Sequence, residues 1–293
     1  MAVAKTPRLN SGASKKVIQR KKVQTKRKVS QGLAKIQVIL AGLLLILLSP
    51  FYYGYVLKGL TSAWQGVTDW GETPGYRTYR NFAIRIPDRF TIHGIDVSSY
   101  QGKIDWNKVK AMKEGGVTIK FAFIKSTEGI LHVDKYFSRN WREAPKTGII
   151  CGAYHYFKPK KDGKLQARFF LQTVNLETGD LPPVVDVEEL SGITPQRMRK
   201  ELRSFLNHIE NKTGVKPIIY TGLVFYKDYL QDHFNDYPLW IAHYYRAELK
   251  VPEKTKWSFW QHADNATVSG TGYDTDMNVF NGDSAAFEDI LIH

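Results

Sequence analysis

From residue 90 onward the chain alternates between short apolar runs and longer segments whose apolar residues recur with helical spacing. The short runs predict strands over residues 90–97, 119–125, 149–157, 182–190, 216–220, 238–242, 257–261 and 277–280. The longer segments predict helices over residues 105–113, 135–146, 165–175, 194–211 and 223–230. Repeated βα units predict a parallel sheet, and helices only between the earlier strands favour an α/β fold built as an incomplete (β/α) barrel.

A different pattern precedes this region. Residues 36–57 contain no charged side chain and are bounded by Lys35 and Lys58. As a helix they can cross a hydrocarbon layer of about 30 Å, with the aromatic residues between 51 and 55 near one interface. Residues 1–35 carry 11 Lys or Arg and no acid, which predicts a disordered cytoplasmic tail and an exported remainder. We therefore expect a single-pass protein of the plasma (inner) membrane whose folded domain is periplasmic or otherwise extracytoplasmic.

A cleaved signal peptide is the main alternative to this anchor, because Thr61-Ser62-Ala63 offers small residues at a cleavage site. The anchor is favoured because the basic leader is long and that site lies well beyond the apolar run. Residues 58–90 show no clear period, so they predict a stem with room for an ordered patch against the globular domain. The predicted organisation is a tail at 1–35, an anchor at 36–57, a stem at 58–90 and a barrel domain at 91–293.

The formal net charge of +14 is typical of a nucleic-acid-binding protein, but its distribution argues against that class. Residues 36–293 carry 31 basic and 28 acidic side chains, so no phosphate-binding surface is implied for the folded part. The basic leader can instead be attracted to anionic lipids of the inner leaflet. The single cysteine, Cys151, lies in an apolar run, which predicts a small core residue and not a nucleophile.

One predicted strand, residues 182–190, ends in acidic residues. Side chains alternate across a strand, so Asp186 and Glu188 share one face while Val185 and Val187 share the other. Two carboxylates on an otherwise apolar face raise each other's tendency to hold a proton, which suits a general acid. The alternative is a strand end whose acids cap loops or pair with nearby Lys and Arg.

Polar side chains also stand at the ends of other predicted strands. They are Asp96, residues 125–128, His155, Tyr220, His243, Gln261 and His262. Active sites of (β/α) barrels lie at the C-terminal ends of the strands. The agreement between strand ends and polar positions therefore favours catalysis over a purely structural role for the acids.

With these segments in place, the chain resembles glycoside hydrolase family 25, the muramidases that cut peptidoglycan. The resemblance runs from about His93 to Asp283 and rests on a series of motifs in a fixed order. The motifs are GIDVSSYQG at 94–102, FIKSTEG at 123–129, GAYHYF at 152–157, QARFF at 166–170, DVE at 186–188, PLWIA at 238–242, WQ at 260–261 and DMNVF at 276–280. Each motif alone is weak, and the complete ordered set is specific.

The resemblance implies a flattened, TIM-like (β/α)5(β)3 barrel that cleaves the β-1,4 bond between N-acetylmuramic acid and N-acetylglucosamine, with no metal or organic cofactor. By position, Glu188 matches the catalytic acid and Asp186 the carboxylate that orients the 2-acetamido group of the substrate. Asp96 and Asp276 match two further acids of the site, and Asp274 is then a loop acid. The residue types agree with glycoside cleavage, which needs a protonated carboxyl at the leaving oxygen and negative charge near the oxocarbenium ion. Direct water attack and participation of the acetamido oxygen both stay open.

Aromatic and polar residues near the strand ends are candidates for contacting the sugar. The candidates are Tyr154, Tyr220, Trp240 and Trp260 for stacking, and His155 and Gln261 for hydrogen bonds. The alternatives are ordinary barrel packing for the aromatic residues and a hydrogen-bonded core position for the histidine.

Three other functions compete with a muramidase. A zinc hydrolase would need histidines among His93, His132, His155, His243 and His262, which lack the close spacing of metal ligands. A chitinase-type barrel would place an additional acid at the position of Val184. A non-catalytic peptidoglycan-binding protein is the alternative from another class, and it is disfavoured because a binder gains nothing from burying four acids. The expected partners are thus peptidoglycan strands and a membrane, without nucleic acid, which suits local cell-wall remodelling.

Overall fold

The computed structural model describes residues 73–253 and 255–293. The tail and anchor predicted at 1–35 and 36–57, and the first part of the predicted stem, lie outside the described residues. Within the described part of the chain, no helix has the length and apolar character needed to cross a membrane.

Twelve strands and six α-helices are described in these two ranges. The strands are β1 (Tyr76–Tyr79), β2 (Ile84–Pro87), β3 (His93–Val97), β4 (Lys113–Glu114), β5 (Val117–Glu128), β6 (His132–Val133), β7 (Ile150–Tyr156), β8 (Val184–Asp186), β9 (Ile218–Gly222), β10 (Leu239–Ala242), β11 (Phe259–Ala266) and β12 (Thr275–Phe280). The helices are α1 (Trp106–Ala111), α2 (Phe137–Glu143), α3 (Gly163–Thr173), α4 (Pro195–Thr213), α5 (Leu223–Phe225), which continues as a π-helical turn over Tyr226–Leu230, and α6 (Ser284–Asp289).

Eight of the strands close into a barrel. Seven pair in parallel in the order β3, β5, β7, β8, β9, β10, β11, and β12 completes the ring by pairing antiparallel with both β11 and β3. Each of the first five barrel strands is followed by a helix that leads to the next barrel strand, no helix follows β10 or β11, and β12 is followed only by the short helix α6. The predicted α/β barrel and its (β/α)5(β)3 arrangement are therefore confirmed.

Alternation along the strands divides the core into two layers. Inward-facing residues form a cluster inside the barrel that includes Phe123, Val184 and Trp240. Outward-facing residues, such as Val185 and Val187, join the larger cluster between the barrel and its helices. Because the inner layer is filled by large aromatic rings, the barrel is a packed core and offers chemistry only at its ends.

One close approach inside the barrel requires glycine. A β-carbon on Gly94 would lie 2.4 Å from the ring of Phe121 on the neighbouring strand β5. The absence of a side chain at this position leaves room for the ring beneath Asp96, the next inward-facing residue of β3.

The later part of the predicted stem is an antiparallel hairpin of β1 and β2 that packs on the barrel. Phe82 and Ile86 are fully buried and belong to the outer core cluster. Through these two buried side chains the hairpin packs on the barrel domain. The hairpin is the ordered part of the stem that the sequence allowed. Thr267 donates its backbone N–H to the carbonyl of Phe82 at 2.8 Å, which fixes the hairpin to the end of β11.

The helix starts predicted from the sequence agree with the structure more closely than the predicted strand ends do. Asp105 and Thr194 cap α1 and α4 through their side chains, and Pro195 occupies the first turn of α4. The strand predicted over 182–190, in contrast, is regular only from Val184 to Asp186. Cys151 is buried, and burial raises the pKa of its thiol, as expected for a core residue.

Candidate active site

Four carboxylates meet at the C-terminal mouth of the barrel. Asp96 ends β3, Asp276 lies opposite it in register on β12, and Asp186 ends β8 on the other side of the ring. Glu188 follows two residues after β8, and its negative charge acts on both Asp96 and Asp186. The four acids predicted from the sequence therefore lie close together in the fold. Three of them are on separate strands, and Glu188 lies just after one of these strands.

Asp96 is held by two amide side chains. Its Oδ2 accepts hydrogen bonds from Nε2 of Gln261 at 2.7 Å and from Nδ2 of Asn278 at 2.8 Å. Burial is the largest effect on this carboxyl and raises its pKa to about 6, although both hydrogen bonds lower it. Asp276 also hydrogen-bonds Asp96. This acid is thus fixed in position, and its pKa is raised above its ordinary value.

A further layer of hydrogen bonds orients the two amides. Trp240 donates its indole N–H to Oδ1 of Asn278 at 2.8 Å. The hydroxyls of Tyr220 and Tyr244 both donate to Oε1 of Gln261, at 2.7 and 2.8 Å. Because each amide oxygen is taken by these donors, each amide nitrogen must face Asp96.

Asp186 and Glu188 form the central pair of the mouth. Asp186 is buried, and its Oδ1 has no hydrogen-bond partner among the described residues. Burial, followed by repulsion from Glu188, raises the pKa of Asp186 well above its usual range. Glu188 is exposed at the rim, yet enough protein surrounds its carboxyl to raise its pKa too. Solvent screens the charge of the accessible Glu188 carboxyl more than that of the buried Asp186 carboxyl.

A group of ion pairs borders this central pair. Lys125 contacts Glu128 at 2.8 Å, and Lys158 contacts Glu128 at 3.1 Å and Glu189 at 3.4 Å. The ammonium groups of both lysines also lie over the ring of Tyr156, at 4.8 and 4.4 Å from its centroid. The positive charge of Lys125 lowers the pKa of Asp186 and of Glu188, which partly offsets their burial.

The six residues predicted to contact substrate fall into three groups according to their position and burial in the structure. Tyr154 is half-buried beside the acids, and repulsion from Asp96, Asp186 and Asp276 adds to the burial that raises its pKa. Tyr220 and Gln261 lie inside the mouth, where they hold Asp96 through the network just described. The remaining three candidates are fully enclosed.

Burial excludes sugar contact for those three residues, in contrast to the expectation from the sequence. Trp240 stacks on Phe123 inside the barrel, with ring centroids 4.3 Å apart. Trp260 faces the outer layer and donates its indole N–H to the carbonyl of His243. His155 is also outward-facing, and its two ring nitrogens contact Thr127 at 2.7 Å and Gln166 at 3.2 Å.

Some residues of the site were not found from the sequence. They are Tyr244 and Asn278, which complete the support of Asp96. Asn278 belongs to the DMNVF motif and follows Asp276 at the inward-facing spacing of two, a signal that strand alternation could have supplied. Tyr244 lies beyond the end of β10, where no periodic pattern predicts its orientation.

A surface cleft of about 690 Å³ opens beside Glu188 and extends over the ends of β9 and β10. Its lining includes Val224, Tyr229 and Tyr244. Two other clefts, one near Trp106 and one near Cys151, contain none of the four acids. Over residues 73–253 and 255–293, no group of three or more His, Cys, Asp or Glu residues is arranged to hold a metal ion.

Comparison with known proteins gives a consistent result. A family model described as "Glycosyl hydrolases family 25" matches residues 95–271. The protein YegX of Escherichia coli (strain K12), described as uncharacterized, is 45% identical over 248 residues, which are 85% of this chain and 91% of that protein. Lysozyme M1 of Streptomyces globisporus is 33% identical over 230 residues, covering 73% of this chain and 74% of that protein. The structure of a family 25 glycosyl hydrolase from Bacillus anthracis superposes with a TM-score of 0.65 at 33% identity, covering 75% of this chain and 99% of that one.

Proposed function

The chain belongs to glycosyl hydrolase family 25, and from that membership we propose that it is a peptidoglycan muramidase that hydrolyses the β-1,4 bond between N-acetylmuramic acid and N-acetylglucosamine. Its activity as a glycoside hydrolase follows from the family and from its lysozyme relatives. Our proposal adds the bond that is cut, the roles of individual residues and the cellular setting.

One observation carries the proposed roles in catalysis. The buried carboxyl of Asp186 has an oxygen without a partner in the described structure, and the accessible carboxyl of Glu188 lies beside it. An unpaired buried acceptor is costly, so a ligand N–H that binds there gains a strong hydrogen bond. The N–H of a 2-acetamido group, present on both sugars of peptidoglycan, is such a donor.

The same pair supplies the acid for cleavage. Before substrate binds, burial and mutual repulsion favour a bound proton on the pair. An acetamido N–H at Asp186 stabilises the ionised form of that residue, so the proton is left on Glu188. Glu188 then donates it to the glycosidic oxygen as the bond from that oxygen to the anomeric carbon breaks.

The positive charge that develops on the sugar ring is stabilised by the surrounding carboxylates. Asp96 and Asp276 lie across the mouth from Glu188, and the amide network holds Asp96 without reorganisation. Water completes the reaction at the anomeric carbon. Its proton returns to Glu188 if the acetamido oxygen participates, and passes to a carboxylate on the opposite face of the ring if water attacks directly. Retained configuration in the product would indicate participation of the acetamido oxygen, and inverted configuration would indicate direct attack by water.

The proposal is tested with isolated peptidoglycan. We expect the wild-type protein to release new reducing ends and muropeptides that end in N-acetylmuramic acid, as read by mass spectrometry. Glu188→Gln should lower the rate by about 10²- to 10⁴-fold, the usual contribution of a general acid. Glu189→Gln is the matched control, because Glu189 pairs with Lys158 at the rim and should keep the rate within about threefold. A wild-type protein that binds peptidoglycan without releasing reducing ends would instead support a non-catalytic binding protein.

We also propose that the enzyme is tethered to the plasma membrane by residues 36–57 and remodels the wall locally. The support is the uncharged run between Lys35 and Lys58 and the excess of basic residues before it. A tethered barrel would reach only the wall near its own membrane, which suits local cutting over diffuse lysis.

A further inference from the structure

Two exposed tyrosines stand out at the barrel mouth. Tyr100 is 60% exposed and Tyr273 is 62% exposed, and they are the two aromatic members among six large apolar side chains that are exposed in the described structure. Their ring centroids are 5.4 Å apart with a tilt of 41° between the planes. Because exposed aromatic surface is unfavourable in water, a contiguous pair of rings is a common mark of a binding surface.

The loops that carry these rings come from the strands that carry two of the acids. Tyr100 follows Asp96 of β3 by four residues, and Tyr273 precedes Asp276 of β12 by three residues. Since a chain extends at most about 3.6 Å per residue, each tyrosine backbone lies within about 15 Å of its acid. The pair of rings is therefore adjacent to the acids on the side of β3 and β12.

The two loops are also held rigidly against each other. Gln101 donates from Nε2 to the carbonyl of Asp274 at 3.0 Å, and its own carbonyl accepts the N–H of Gly272 at 3.1 Å. Ser98 caps the turn by accepting the N–H of Tyr100 at 3.1 Å, and buried Asp134 accepts the N–H of Ser99 at 2.8 Å. A surface ordered in this way loses little conformational entropy when a ligand binds.

Barrel order places the tyrosine pair and the cleft beside Glu188 on opposite sides of the acids. The cleft covers the ends of β9 and β10, whereas Tyr100 and Tyr273 adjoin β3 and β12. Strand β9 is four positions from β3 around the ring of eight. A long ligand that crosses the mouth can thus occupy the cleft with one part and lie over the two rings with another.

We infer that Tyr100 and Tyr273 form a sugar-binding platform that holds the glycan strand beyond the two sugars flanking the cleaved bond. Aromatic rings offer an apolar face for the C–H groups of a pyranose, and the tyrosine hydroxyls remain free for polar contacts. The platform fills the role that the enclosed Trp240 and Trp260 cannot fill. The inference rests on the proposed function for the chemistry of the ligand, and its test separates the two.

The test uses the full-length protein in mild detergent and insoluble glycan strands freed of peptide. In a sedimentation assay, which requires no turnover, the double variant Tyr100→Ala/Tyr273→Ala should bind the strands about tenfold more weakly. The corresponding Phe variants should bind within about twofold of wild type, because they keep the rings. Leu165→Ala is the control for loss of exposed apolar surface, since Leu165 is 48% exposed on α3, and should leave binding unchanged.

Kinetics supply the second readout. The double Ala variant should raise KM for long glycan strands by about tenfold, equivalent to about 1.4 kcal/mol, and should change kcat by less than about twofold. Unchanged binding and unchanged KM in that variant, with thermal stability equal to wild type, would overturn the platform. A wild-type protein that binds strands through the tyrosines but releases no reducing ends would refute the proposed function and leave the platform supported.

Discussion

Asp96 and Asp186 are buried to the same extent but differ in what surrounds their oxygens. Two amide N–H groups converge on Asp96, and its pKa is about 6. Asp186 has an oxygen with no hydrogen-bond partner among the described residues, and its pKa is raised well above the usual range, first by burial and then by Glu188. The difference supports the separate tasks that we propose for the two acids: the protein holds Asp96 in place, whereas Asp186 keeps an acceptor for the substrate.

Replacement of Asp186 tests this difference through stability and activity together. The pKa of Asp186 is raised in the folded state, so the unfolded chain ionises this group more readily and the fold is less stable at neutral pH. This loss of stability shrinks as the pH falls from the folded pKa toward the unfolded pKa, and it is gone below the unfolded pKa. We expect Asp186→Asn to stabilise the protein by about 0.5–2 kcal/mol at pH 7, with a smaller gain near pH 4. The rate should fall by about 10²-fold or more. Thermal unfolding at several pH values measures the first effect.

Asp274→Asn is the control for this experiment, because Asp274 is an exposed loop acid close to the same site. It should change the free energy of unfolding at pH 7 by less than about 0.5 kcal/mol. Equal stability of Asp186→Asn and wild type at pH 7 would show that the buried carboxylate is better solvated than the structure indicates.

Lys125 provides a pH-dependent prediction. Its positive charge lowers the pKa of Glu188, so its removal should raise that pKa and keep the acid protonated to higher pH. Lys125→Met should therefore move the alkaline limb of the kcat/KM profile upward in pH. Lys158→Met is the matched control, since it removes the same charge from the same group of ion pairs, where Lys158 is paired with Glu128 and Glu189, and it should move the limb less than Lys125→Met does. A shift of the limb to lower pH in Lys125→Met would contradict this assignment.

At the scale of elements, α3 and α4 are held together by a contact at the first residue of α3. A β-carbon on Gly163 would lie 1.8 Å from the carbonyl oxygen of Glu201 in α4, and Oε2 of Glu201 accepts the Gly163 N–H at 2.9 Å. Because the obstacle is helix backbone, the helices must separate to admit a methyl group. We expect Gly163→Ala to destabilise the fold by about 2–4 kcal/mol.

Gly222→Ala is the corresponding control in an unfolding experiment. Gly222 has ordinary backbone angles, and no atom lies within 4 Å of the position that a β-carbon would take there. Its substitution should change the free energy of unfolding by less than about 0.5 kcal/mol. Similar losses in both variants would argue against a specific contact between α3 and α4.

Local signals in the sequence predicted elements better than they predicted contacts. Asp105, Thr194 and Pro195 mark helix starts through interactions within a few residues, and the structure confirms them. Strand alternation likewise placed Val185 and Val187 in the outer layer. The support of Asp96, in contrast, comes from Gln261 and Asn278, more than 160 residues away, through a strand register that no local pattern encodes.

Contacts between distant residues also decide where aromatic side chains at strand ends point. An inward-facing indole near a strand end can reach the mouth or remain in the packed interior, and the sequence pattern around Trp240 is the same for both outcomes. Trp240 ends inside the barrel because Phe123 and Asn278 enclose it. Trp260 faces outward because it is one residue out of phase with Gln261, whose side chain enters the mouth.

At the scale of the whole molecule, chain length limits where a tethered barrel can act. The predicted anchor ends at residue 57, and β1 begins at Tyr76. The 18 residues between them can span at most about 65 Å. If residues 36–57 hold the protein in the membrane, cutting is confined to the wall within that distance plus the dimensions of the barrel domain.

The anchor itself is tested by introducing charges into the apolar run. Each Lys at the centre of a membrane-spanning helix costs about 2.5–3.5 kcal/mol, so Leu44→Lys/Leu47→Lys should prevent stable insertion. The full-length protein should remain in the membrane fraction after alkaline carbonate extraction, and the double variant should not. Gln24→Lys, which adds a charge to the already basic tail, should behave as wild type. A soluble wild-type protein whose mature N-terminus lies near Trp64 would instead establish signal-peptide cleavage and free the enzyme from the distance limit.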